Sequence, residues 1–223
     1  MPGSLADLRN AQEELVRKTL DGAVFRAPTT AGHITAADLF ATDGTIQELP
    51  EFYEDQGLLS TDGISFGREI TTSNTSALGR TTPVRSDVQG DTDTLNFVAI
   101  ETNRQTLELG TGAVLVPGSR GSNGAVEIKK PNRPKARSYR FLSVAQDENE
   151  YGEIYVCRYL PRGKISGYGD QVFNSGDEPI GWAATVQGEN DSTWGSPGSY
   201  IFGGPGWNAI LGKMGFTPLA ATP

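Results

Sequence analysis

One cysteine, Cys157, and one histidine, His33, occur in 223 residues. A single cysteine excludes an intramolecular disulfide and any cysteine-only metal site. A lone imidazole leaves zinc without a ligand set, and triad chemistry would have to use His33, which stands beside Gly32 in a weakly patterned stretch read as a solvated loop. Cys157 lies in Ile154-Tyr155-Val156-Cys157, the setting of a small buried hydrophobe rather than a reactive thiol. There is no run of about 18 apolar residues and no basic start leading into an apolar core. Neither a membrane span nor a signal peptide is expected, and synthesis as a soluble protein in the cytoplasm is.

Other chemistry is equally sparse. Gly203-Gly204-Pro205-Gly206 lacks the lysine and serine of a phosphate-cradling loop. Carboxylate pairs such as Asp91 with Asp93 and Glu148 with Glu150 fall in polar turns, where a solvated acid is the plain reading and a glycosidase pair the sharper one. Asp147-Glu148-Asn149-Glu150 lacks the twelve-residue calcium loop. No catalytic, cofactor-binding or metal-binding residue is assigned, no cofactor is expected, and the chain does not read as an enzyme.

What is present points to a scaffold. With 28 Gly, 13 Pro and a hydrophobic share of 36%, the chain turns often and can spread only a thin core over sheets. The net charge of −8 is uneven: residues 1–112 hold 17 acids and eight bases, residues 113–223 ten acids and eleven bases. Arg120, Lys129, Lys130, Arg133, Lys135, Arg137 and Arg140 face only Glu127 as an acid within their stretch. An acidic body with one basic projection suits head-to-tail association with copies of itself. Tyr139 and Phe141 beside those bases also raise nucleic-acid binding, against which the acidic remainder stands.

The periodicity predicts mainly β structure with a β-sandwich or partly closed barrel and a flanking helix. Residues 1–22 read as an N-terminal helix or arm, with Ser4 as N-cap and Leu5, Leu8, Ala11, Leu15 and Val16 as its stripe up to Leu20. Residues 23–203 read as the β domain, and 204–223 as a docked C-terminal segment with a frayed tail. Strands are expected at 23–27, 57–60, 64–70, 84–100, 113–116, 125–129, 138–144, 153–160, 179–187 and 199–203. Short helices are expected near 36–40 and, capped by Asn103, over 104–109. Between them lies a polar loop, 71–82, of a length usually ordered by a partner.

Several stretches together resemble the major tail tube proteins of long-tailed, non-contractile phages, particularly those of actinobacteria. They are Gly22–Pro28, Gly57–Ile64 with Asp62-Gly63, Phe97–Asn103 running into a short helix, Pro161-Arg162-Gly163-Lys164-Ile165-Ser166, and Trp182–Val186. Their order holds over residues 22–188, and the N-terminal helix, the 188–198 loop and the 207–216 end lie outside it. The resemblance implies a subunit of hexameric rings that stack into a tube around a tape-measure protein. Tail terminator and distal tail proteins would be further partners, and genomic DNA would pass through the lumen without specific binding. Each subunit would lend strands such as 84–100 to a ring-wide inner β-barrel, with 71–82 ordered by the next ring. The location implied is the virion. The other reading of the residues is an adhesion or carbohydrate-binding sandwich that uses exposed aromatics such as Trp182 or Trp194.

Overall fold

A computed structural model describes residues 5, 9, 11–115, 121–133, 135–176 and 179–216. Eight strands form one antiparallel sheet: β1 (Asp21–Pro28), β2 (Glu54–Asp55), β3 (Ser65–Thr75), β4 (Arg85–Ala99), β5 (Ser138–Asn149), β6 (Gly152–Tyr168), β7 (Trp182–Gly188) and β8 (Ser199–Gly203). Short helices whose bounds lie within the described residues accompany them: α1 (Ala36–Leu39), α2 (Arg104–Thr111) and α3 (Pro205–Ile210). The strand order is β2-β1-β5-β6-β7-β4-β3, and β8 pairs with β6 off this path.

Alternation along β5 and β6 divides the core in two. On one face, Leu142 and Val144 join Tyr155, Cys157 and Tyr159, and Ile34, Leu39 and Ile201 cover them. On the other, Phe141 and Leu160 meet Val24 of β1, Leu95 and Phe97 of β4, and Val186 of β7. β1 and β4 are separated by three strands in the sheet order, so sharing one core requires the sheet to curl over on itself. The strand order itself stays open, but the segment from Glu54 to Ser60 spans the gap. Its first residues pair with Phe25 and Arg26 of β1, and Gln56 N–H donates to Val24 O at 2.9 Å. Farther on, Ile100 N–H donates to Leu58 O at 2.9 Å and Ser60 N–H to Val98 O at 2.8 Å, so the same segment grips the end of β4.

β6 runs seventeen residues by switching partners, with Tyr155–Tyr159 on β8 and Gly163–Tyr168 on β7. Pro161, expected to end the strand, sits where the β5–β6 register shifts between Tyr139 and Phe141; a bulge tolerates a residue without an N–H. Asn103 caps α2 as expected, its side chain accepting from Thr106 N–H at 2.9 Å, and the helix runs two residues beyond 109 to Thr111, where Gly112, whose φ of 67° suits glycine, ends it. Cys157 is fully buried, and burial pushes its thiol up to about 12, as befits an inert core residue.

Three expectations are corrected. The expected helix does not continue to Leu20: Leu5 is helical and Arg9 N–H donates to Leu5 O at 3.2 Å, but residues 11–20 hold one 3₁₀ turn, Glu13–Leu15, followed by extended backbone. Val16 and Leu20 of the anticipated stripe are exposed, so no apolar surface holds a helix over 11–20. Lys18 and Leu20 N–H instead donate to Asp147 Oδ2 and Gln146 O of β5. Ser4 lies outside the described residues. No strand forms at 113–115 or 125–129, where the chain is irregular; residues 116–120, with Arg120, lie outside the description. The polar stretch 71–82 is not a loop throughout, since β3 continues to Thr75 and pairs with β4 in the single chain.

Candidate functional site

The feature that stands apart from the core is the β3–β4 hairpin. From Ser65↔Asn96 to Thr75↔Arg85 the two strands pair with each other, whereas β4 pairs with β7 only from Thr94 to Ala99. Beyond Thr94 the hairpin is a two-stranded blade exposed on both faces, and its tip, residues 76–84, carries the fully exposed Leu78. Two-stranded ribbons are marginal alone. A bidentate pair supports this one, Arg68 Nε and Nη2 donating to Asp91 across the strands and holding the Asp91 carboxyl below its ordinary range. At the root, the Arg158 guanidinium lies over Tyr200 at 3.6 Å from the ring centroid and over Phe66 at 4.8 Å, joining β6, β8 and β3.

The face of β4 and β7 turned away from the core carries Thr94, Asn96 and Val98 beside Gln187, Thr185 and Ala183. These side chains are short and uncharged, and Thr185 Oγ1 bonds Asn96 Oδ1 at 2.7 Å. The cation beside them, Lys164, is paired with Glu189 at 2.6 Å, which holds the Glu189 carboxyl below its ordinary range. Such a face offers phosphates little to grip.

A second cluster is internal. Arg140, counted by its sequence among the projecting bases, is buried in β5. Its guanidinium donates to Ala31 O at 3.0 Å, Thr29 O at 2.9 Å and Pro161 O at 3.2 Å, and Nη1 reaches His33 Nδ1 at 2.6 Å. The chain after β1 turns the Thr29 and Ala31 carbonyls toward it, and Pro161 of β6 supplies the third acceptor. His33 is therefore not a solvated loop residue. It stacks on Trp194, edges Tyr159, and its Nε2 is buried with no partner among the described residues. Burial and the Arg140 charge push the imidazole below its ordinary value, Asp191 pulling the other way. Burial alone would raise the Asp191 carboxyl, yet N–H donation from Thr193 and Trp194 and the Arg140 charge hold it low.

The other bases of 129–137 remain exposed on an irregular connection, as expected. Lys129 approaches Glu127 at 3.9 Å in solvent. Trp182 and Trp194, the candidate sugar platforms, are both engaged: Trp182 packs on the β4 core and over Gly110, and Trp194 is covered by His33. Among the described residues no group of three or more His, Cys, Asp or Glu is arranged to hold a metal ion. No helix there is long and apolar enough to cross a membrane.

A curled antiparallel sheet with a long projecting hairpin defines a β subunit of an open-sheet class. Residues 10–177 match the phage tail tube protein family, and the chain belongs to that family. Its members are structural rather than enzymatic, so the chain is a virion component with a structural role in the tail tube. No curated protein matches the chain. Among solved structures, a chain from the tail of an empty GTA particle, refined helically with C6 symmetry, is similar over 71% of this chain and 96% of that one, at 8% identity and a TM-score of 0.31.

Proposed function

We propose that this protein forms hexameric rings that stack into the tail tube, enclosing a tape-measure protein and later passing DNA. The observation that carries the proposal is the β3–β4 hairpin. Beyond Thr94 its two strands pair only with each other, and their outer edges stay unpaired and both faces exposed. Lateral pairing of these blades between copies would close a barrel and remove every open edge. The uncharged β4–β7 face would then line the bore, which suits a channel that must let phosphates slide. Residues 1–22 serve as an arm, 23–203 as the tube domain and 204–223 as a docked end, with tail terminator and distal tail proteins meeting the first and last rings. The exposed bases of 129–137 provide one lateral contact to an acidic neighbour.

Microscopy of concentrated purified protein tests this. Six-fold rings or tubes are expected, and particles that stay monomeric at every salt concentration, even with tail partners added, overturn it. Reversal of Lys129 and Lys130 to Glu should impair assembly of a folded subunit; an unchanged tube yield removes that contact.

A further inference from the structure

The connection from α2 to β5 carries the one Asn-Gly pair in the sequence, Asn123-Gly124. It folds into a tight surface turn, in which Gly124 N–H donates to Gly121 O at 2.9 Å and Gly121 N–H to Ala125 O at 2.7 Å. Asn123 Oδ1 accepts from Ala125 N–H at 3.0 Å. That bond closes a ring over the Gly124 peptide, so it holds the carboxamide carbon Cγ beside the Gly124 nitrogen and draws electrons from it. Gly124 has φ 82°, and no atom lies within 4 Å of where its Cβ would stand, so nothing blocks the approach of that nitrogen.

Asn149 and Asn174 accept in the same way from the N–H two residues on, Tyr151 at 2.9 Å and Gly176 at 3.0 Å. Glu150 and Ser175 follow them, and each puts a Cβ beside the nitrogen that would attack. Asn149 is further tied down, since its Nδ2 donates to Gly206 O at 3.2 Å. Of the three, Asn123 combines the contact with a following glycine. Residues 121–127 are exposed throughout and belong to no strand, so the bond from Gly124 to Gly121 opens at little cost.

We infer that Asn123 is a site of spontaneous modification, where the chain converts its own carboxamide to a carboxylate. Hydroxide takes the Gly124 N–H proton and the nitrogen attacks Asn123 Cγ. The Cγ–Nδ2 bond breaks, and Nδ2 leaves as ammonia with a proton from water, which regenerates hydroxide. A five-membered succinimide remains. Water opens it at the side-chain carbonyl to give aspartate, or at the main-chain carbonyl to give isoaspartate, in which the chain runs through the side chain. Water is the only reactant consumed, and nothing is oxidised or reduced. Either product adds a negative charge to the stretch 121–137, which presents five exposed bases against Glu127 alone. The contact of this connection with an acidic neighbour, which rests on the tube reading, therefore weakens as the protein ages.

Peptide mapping by mass spectrometry, on the full chain held folded in mildly alkaline buffer, tests the site. The mass gain of acid over amide, with isoaspartate among the products, should arise at Asn123 about tenfold faster than at Asn174, a barrier lower by about 1.4 kcal/mol. Conversion at Asn123 no faster than at Asn174 overturns the inference. Conversion in denaturant but not in the folded protein shows that the turn protects Asn123, and overturns it too. Asn123→Asp, which carries the charge without the reaction, should raise the protein concentration needed for rings or tubes by about two- to fivefold at low salt and leave it unchanged at high salt. An unchanged threshold at low salt overturns the effect on association. If native protein forms neither rings nor tubes, the tube reading fails, and the mapping, which needs no assembly, still decides the site.

Discussion

The imidazole of His33 lies against the indole of Trp194, ring centroids 5.0 Å apart and planes 22° from parallel, while Arg140 Nη1 approaches its Nδ1 at 2.6 Å. A guanidinium has no lone pair to offer, so His33 must accept through Nδ1 and be neutral in the folded protein. Its folded value is depressed and its unfolded value is about 6.5. Stability from this site is therefore complete above about pH 6.5 and is lost as pH falls toward the folded value. The difference in Tm between native protein and His33→Gln should shrink or reverse as pH drops from 7 to 5; a pH-independent difference would refute the neutral assignment.

Removing Arg140 strands the carbonyls of Thr29, Ala31 and Pro161 inside the fold. Arg140→Met should cost about 3 kcal/mol or more in chemical denaturation, because buried acceptors are left unpaired. Arg140→Lys keeps the charge but not the planar fork and should fall between the two.

Gly204 has φ 116°, and a Cβ there would stand 2.3 Å from Glu153 O, a backbone atom that cannot swing aside. Gly204→Ala should destabilise by about 1–3 kcal/mol and release the stack of Phe202 on Trp207, now 5.0 Å apart. Tryptophan fluorescence would report that release.

Phe97, 2% exposed, joins the β4 strand to the β1 and β5 side of the core. Phe97→Ala should lose about 3–5 kcal/mol in denaturant titration. A loss under about 1 kcal/mol would mean that the sheet does not curl as described.

Arg158→Gln should change global stability by only about 1 kcal/mol, since cation–π contacts at part-exposed sites are modest. Amide exchange along Phe66–Thr75 should nevertheless speed up, because the hairpin root loses its clamp. Equal exchange in both proteins would show that Arg158 does not hold the blade.

Much of this architecture was legible in local pattern, and what was not has identifiable causes. Ser199–Gly203, the cap at Asn103, the apolar end of β4 and the burial of Cys157 follow from alternation and capping chemistry that act within a few residues. Past residue 10 the N-terminal stripe misled because periodicity states that a helix could bury one face, not that a surface exists to receive it. Arg140 misled for the converse reason. Its neighbours in sequence are exposed bases, and its partners Thr29 and Ala31 lie more than a hundred residues away. The threonine-rich end of β3, Thr71–Thr75, looked like a loop because a strand with no buried face has no alternation to display.

The connector from Glu54 to Ser60 gives the subunit a mechanical character. A pull on the hairpin tip runs along β4, parallel to the strand axis, into the six pairs Thr94↔Gln187 to Ala99↔Trp182. Bonds lying across the direction of pull share the load together instead of opening one after another. The grip of Ser60 on Val98 and of Gln56 on Val24 carries the remainder to β1 on the far side of the core. The subunit behaves as a tether, stiff when stretched lengthwise and compliant only where the two-stranded blade bends.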